Sequence, residues 1–156
     1  MSPAAGDVDL GVSCACGRLR RATRALTQLY DDAMAPSGLR VTQFSLLRTL
    51  AREGVLRIRD LAERTLLDRT ALSRNLDPLI ARGLVEAVRG SDARTRRIAL
   101  TPAGERALRA ASPHWRRAQA RVRRELGPRK LHLLIETLGE LEALHPRRAA
   151  AQENDA

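Results

Sequence analysis

Between Asp68 and Asp77 the sequence reads DRTALSRNLD, and its polar side chains recur at intervals of three and four residues. At helical spacing Thr70, Ser73, Arg74 and Asp77 share one side, while Leu72, Leu76, Leu79 and Ile80 share the other. That polar side carries the chemistry that reads nucleic acid. The Arg74 guanidinium can take a guanine through O6 and N7, and the hydroxyls of Thr70 and Ser73 can bond base edges or phosphates. Arg69 and Asn75 flank this face, where phosphate contacts are expected. Asp77 is not assigned to the site, because DNA repels a carboxylate unless it accepts from cytosine or pairs with an arginine.

A second cationic group lies shortly after, in GSDARTRR, with Arg94, Arg96 and Arg97. The segments on either side, Leu84 to Val88 and Arg97 to Leu100, read as short strands, so these arginines fall at the tip and one arm of a hairpin. The loop is longer than a hairpin needs. Arginine is drawn to the strong negative potential of a narrow minor groove, and Asp92 can hold the loop base through an ion pair. One helix for the wide groove and one loop for the narrow groove is the layout of a winged helix-turn-helix.

The elements that must position these groups follow from periodicity. Leu19, Ala22, Leu26, Leu29 and Ala33 predict a long first helix that stops at Pro36-Ser37-Gly38. Thr42 is the expected cap of a second helix with Phe44, Leu47, Leu50 and Ala51 inward. A third begins near Ile58 and the fourth near Asp68. Thr101-Pro102 starts a fifth, with Leu108, Ala111, Trp115, Ala118, Val122 and Leu126 on one face and a bend expected at Pro113. A sixth carries Leu131, Leu134, Leu138 and Leu141. The expected fold is mainly α with a small β-hairpin: a winged helix-turn-helix lobe over 42–100 and dimerisation helices over 14–36 and 102–145. The ends, 1–12 and 146–156, are aperiodic and read as flexible.

The outer helices carry more apolar surface than a small lobe can cover. They are expected to pack on their copies in a homodimer, whose symmetry matches a palindromic operator; a monomer with a self-contained bundle is the alternative. The 156 residues carry a formal charge of +10, which favours a polyanionic partner, nucleic acid before membrane. All but one of the 28 basic residues are arginine, a skew that base composition of the gene can produce, so choice of Arg over Lys is not itself a recognition signal. With one Tyr, one Phe and one Trp, the chain lacks the aromatic platform of a single-strand binder. No apolar run is long enough to span a membrane, and the expected location is cytoplasmic. There is no phosphate loop, no G-x-S-x-G turn and no paired carboxylates in a suitable setting, so no enzyme and no required cofactor is expected.

The order of elements, LAERTLLDRTALSRNLDPLIARGLV, the D-x-R-x-R spacing in DARTRR, and the exit IALTPAGERAL resemble the MarR (multiple-antibiotic-resistance regulator) family across Cys14 to His145. The resemblance implies a dimeric winged-helix regulator, in most members a repressor of transcription, with terminal helices building the dimer. It places Thr70, Ser73 and Arg74 on the recognition helix and Arg94 at the wing tip. Two positions depart from the pattern. Leu66-Leu67 fills a turn that often carries glycine, and Arg57 replaces a small capping residue, where it becomes a candidate phosphate contact.

Members of such a family respond to small aromatic acids or phenols, to oxidants or to metals. Cys14 and Cys16, followed by Arg18, Arg20 and Arg21, are two soft ligands in a cationic setting. Packing, thiol oxidation and binding of a thiophilic ion all fit the pair. Zinc fits poorly, since C-x-C lacks the usual ligand spacing and His114, His132 and His145 add no pattern. Tyr30, Phe44 and Trp115 can line an effector pocket or serve as core. The densest basic block, Arg116, Arg117, Arg121, Arg123, Arg124, Arg129 and Lys130, is expected to be solvated or paired with Glu136, Glu140 and Glu142, or to attract an anionic effector. The function expected is therefore an operator-specific regulator of double-stranded DNA; the rival is a winged-helix protein that binds RNA or another protein.

Overall fold

The computed structural model describes residues 14–89 and 96–146. Along the chain run α1 (Ala15–Met34), a 3-10 turn (Ala35–Ser37), α2 (Val41–Glu53), β1 (Leu56–Arg57), α3 (Ile58–Thr65), α4 (Arg69–Ala81), β2 (Val85–Arg89), β3 (Arg96–Leu100), α5 (Pro102–Leu126) and α6 (Pro128–Ala143). The six helices and the hairpin are those the periodicity predicts. The segments read as flexible, 1–12 and all of 146–156 but Pro146, lie outside the described residues.

One strand goes beyond that expectation. β1 pairs antiparallel with β3, giving a three-stranded sheet in the order β1-β3-β2. At two residues β1 is too short to show a period of two, so only its partner reveals it.

The lobe is closed by residues from every one of its elements. Phe44, Leu46, Leu47 and Leu50 of α2 meet Leu61 of α3, Leu72, Leu76 and Leu79 of α4, and Val85 and Ile98 of the sheet, all nearly inaccessible to water. Met34 and Ala111 bring the end of α1 and the middle of α5 into the same core. Ile80, expected inside, is partly buried at its margin.

Helix starts show where local pattern suffices and where it does not. The Thr101 hydroxyl accepts from Gly104 N at 3.0 Å with Pro102 at the first helical position, the expected cap of α5. The same hydroxyl donates to the Gly83 carbonyl at 2.7 Å, tying the helix to the α4–β2 turn. For α2 the expected cap, Thr42, falls inside the first turn. There Gln43 Oε1 accepts from Arg40 N at 3.0 Å, and the Asp31 carboxylate of α1 accepts from Val41 N at 2.7 Å. A carboxylate at a helix N-terminus meets both the orphan donors and the positive end of the dipole, and this one comes from another helix.

Gly104 explains the LTPAG exit. A Cβ built on it would lie 2.0 Å from the Leu84 carbonyl oxygen and 2.6 Å from Leu100 Cδ1, so α5 touches the start of β2 backbone to backbone. Pro113 sits within an unbroken α5. It removes one donor, which would have served the Arg109 carbonyl.

α1 and α6 are different. Met34 is the one buried residue of α1, and α6 has none. Leu26, Leu126, Leu133, Ile135, Leu141 and Leu144 are exposed. An open groove of about 650 Å³ separates the two helices, floored by Leu19, Ala22, Leu134 and Leu138.

Candidate nucleic-acid interface

α4 is held at both ends. Asp68, extended at φ −70°, ψ 166°, accepts from Ala71 N at 2.8 Å and so caps the helix. Before it, the α3–α4 turn closes without glycine: Leu66 takes the left-handed conformation at φ 53°, ψ 27°, and Leu67 N donates to the Ala62 carbonyl at 3.1 Å. Leu66 is the one non-glycine residue with positive φ among the described residues. At the far end Arg82 Nη1 donates to the Gly38 carbonyl at 2.8 Å, fastening the exit of α4 to the α1–α2 junction. Sequence reading missed Arg82, because its acceptor lies 44 residues away.

With Leu72, Leu76 and Leu79 buried, the opposite side of α4 faces solvent. Arg69, Thr70, Ser73, Arg74 and Asp77 are all exposed. Asn75 is half-buried and its side-chain amide donates to the Ala71 carbonyl at 2.8 Å, an intrahelical bond. The first two turns of α4 therefore offer a short row of hydroxyls and guanidinium groups.

The sheet supplies the second part. Register pairs Arg57 with Arg97 across β1 and β3, directly beside the pair Leu56 and Ile98, which is buried. Directly opposed residues share a face and neighbours alternate, so Arg57 and Arg97 lie together on the face away from the core. The structure thus joins two arginines that the sequence places 40 positions apart. At the end where the chain passes from β2 to β3, Arg89 is in register with Arg96. Like charges opposed across strands destabilise a sheet unless an anion lies between them, so the pair of Arg57 and Arg97 points to a negatively charged ligand. Arg96 is exposed and Arg97 half-buried. Arg94 and Asp92 lie outside the described residues.

The expected effector residues fall in two places. Phe44 and Trp115 stack with centroids 5.8 Å apart, Phe44 in the core and Trp115 packed on its edge. Arg48, which sequence reading passed over, lies 4.9 Å over the Trp115 ring as a cation–π partner. Tyr30 is half-buried between α1 and α5, donates to Gln119 Oε1, and has its phenol pushed above its ordinary value by burial. Cys14 and Cys16 are both exposed at the start of α1, far along the chain from the aromatic group. Among the described residues no three His, Cys, Asp or Glu side chains gather to hold a metal ion.

A sequence model of the MarR family matches residues 37–98. The M. tuberculosis transcriptional regulator MosR, solved in complex with DNA, is 42% identical and similar in structure with a TM-score of 0.73, covering 85% of this chain and 98% of MosR. The transcriptional repressor CouR, bound to a 23-mer DNA duplex, is 26% identical with a TM-score of 0.75, over 82% and 92% of the two chains. The PcaV regulator of Streptomyces coelicolor, in complex with its natural ligand, is 23% identical over 92% and 99%, a likeness of fold with a TM-score of 0.77. No curated protein matches the chain.

Proposed function

The chain belongs to the MarR family of DNA-binding transcriptional regulators, and from that membership we propose that it is a homodimeric repressor that reads a palindromic operator and is released by a chemical signal. The observation that carries the reading is the pairing of an α4 face bearing Thr70, Ser73 and Arg74 with the opposed Arg57 and Arg97 on the sheet. Arg74 takes a base edge, while Thr70 and Ser73 bond bases or phosphates. Arg57, Arg69, Asn75, Arg96 and Arg97 hold the backbone, and Arg94 enters the minor groove. The uncovered leucines of α1 and α6 support a dimer, and a dimer of winged helices sets two recognition helices one turn of duplex apart. Repression follows from occupying a promoter.

Replacing Arg74 by alanine tests the reading. Operator affinity drops by ~1–3 kcal/mol and base preference relaxes at one position per half-site. Equal weakening on operator and random duplex would reduce Arg74 to a phosphate contact. Arg94→Ala weakens operator binding with the dimer intact; gel filtration showing monomer would remove Arg94 from the wing role.

The signal is a small aromatic acid, a thiophilic ion or an oxidant. CouR was solved with p-coumaroyl-CoA and the DNA binding of BpsR is regulated by 6-hydroxynicotinic acid, so neighbours of this fold take an aromatic acyl thioester in one case and a small aromatic acid in the other. Cys14 and Cys16 are exposed, as a thiol sensor requires. DNA release by peroxide or a thiophilic ion from the wild type, and not from a Cys14→Ser/Cys16→Ser variant, assigns the signal to the thiols. Equal release from both, or release by aromatic acids alone, assigns it elsewhere.

A further inference from the structure

α5 carries charge that the operator contacts do not use. Arg106, Arg109, Arg116, Arg117, Arg121, Arg123 and Arg124 are all exposed, and no acidic residue stands between the first and the last. At about 100° per residue they fall in one sector of about 160°, diametrically opposite the buried Gly104, Ala111, Ala118 and Val122. Of the acids expected to neutralise this block, Glu136 pairs instead with His132 at 3.2 Å. Arg109 and Arg124 meet Glu105 and Glu125 at 3.5 and 3.8 Å, and Arg117 contacts His114. Arg106, Arg116, Arg121 and Arg123 have no ion pair or hydrogen-bond partner among the described residues.

Such a strip stays outside the dimer interface, because burying unpaired like charges costs several kcal/mol each while leucines on α1 and α6 stand ready to be covered. It also stands apart from the recognition face, since α5 leaves the base of the hairpin and packs on α1 and α2. From Arg106 to Arg124 the helix rises about 27 Å. A duplex laid along it spans about eight base pairs over that length and turns toward it the phosphates of both strands that border the near groove. A band of cations extended along a rigid helix suits a long polyanion better than it suits a compact effector.

We propose that the arginine face of α5 is a second, sequence-independent DNA-binding surface, which lets one regulator hold a second duplex while its recognition helices occupy the operator. The inference rests on the operator-binding reading above. It is tested with the full chain saturated at equivalence by its operator duplex, to which a labelled duplex of unrelated sequence is added. Energy transfer between the two labelled duplexes reports bridging, and operator affinity is measured in parallel. The Arg116→Gln/Arg117→Gln/Arg121→Gln/Arg124→Gln variant is expected to bind operator as the wild type does. Its log–log salt slope for the second duplex falls by about 3.6, or 0.9 for each of four phosphates released. The four-lysine variant, which keeps charge, retains bridging.

Bridging that survives in the glutamine variant, or is lost in the lysine variant, overturns the proposal. So does a wild type that captures anionic vesicles but no second duplex, or a glutamine variant that loses operator and second duplex in proportion. A wild type with no operator preference at all refutes the regulator reading instead, and energy transfer between two unrelated duplexes then still reports on α5.

Discussion

The lobe between α2 and β3 and the helix pair α1 and α6 solve the same problem in opposite ways. In the lobe, leucines from three helices and the sheet are buried against one another within a single chain. In α1 and α6, repeated leucines at helical spacing end up half-covered or bare, with an open groove between them. Since burial drives helix packing at roughly 25 cal/mol per Å² of apolar surface, a helix pair left this open gains little stability from packing within its own chain. One region is complete and presents charge; the other is incomplete and presents apolar surface. In the reading proposed above, the first region recognises DNA and the second assembles the dimer.

The sharpest way to break this contrast is to put charge into the groove. Leu134→Asp/Leu138→Asp is expected to weaken the dimer on the order of 10³-fold, about 4 kcal/mol, because the aspartates would have to be buried unpaired. Sedimentation would show monomer, and hydrogen exchange in α2 and α4 would keep its protection. A variant that remains dimeric at wild-type concentrations removes α6 from the interface.

The complementary change strikes the lobe. Gly104→Ala forces a methyl against the Leu84 carbonyl, where no flexible side chain can yield. Even after the gain in helix propensity, a loss of about 2–3 kcal/mol is expected in chemical denaturation. An unchanged midpoint would mean that α5 slides freely on β2.

The same division separates what was legible in the sequence from what was not. The α4 stripe, the Thr101 cap and the six helices depend on neighbours within four residues, and periodicity shows such neighbours directly. Asp31 at the start of α2, Arg82 on the Gly38 carbonyl, and the meeting of Arg57 with Arg97 depend on partners from other elements. No local pattern announces those. Asn75 was legible as a polar residue on a flank, but not as one bonded to its own helix backbone. The glycine in LTPAG could be seen as a motif, and its cause, a backbone contact 20 residues away, appears only in three dimensions.

Within the lobe, the N-cap of α4 is a smaller and more selective lever. Asp68→Ala leaves the Ala71 amide without its acceptor and should cost about 1 kcal/mol of stability. Operator binding should fall with it, since frayed first-turn residues include Thr70. Asp68→Ser, which restores a capping oxygen, should recover both. If serine restores stability but not binding, the Asp68 carboxylate acts on the ligand and not on the helix.

The weakest effect lies at the seam between the two regions, where α1 first gains cover from α5. Tyr30 is the one tyrosine of the chain, so its ultraviolet titration reports this seam alone. Burial disfavours the phenolate, and the native midpoint should lie above the ordinary 10.0, returning to it in denaturant. The folded state prefers the neutral phenol, so the contribution to stability is complete below the unfolded pKa. It is lost as pH rises through the folded pKa. Tyr30→Phe should abolish this alkaline loss. It should also cost about 1 kcal/mol at neutral pH through the hydrogen bond to Gln119. Coincident native and denatured midpoints would mean that water reaches the ring, and that the uncovered character of α1 extends down to the lobe itself.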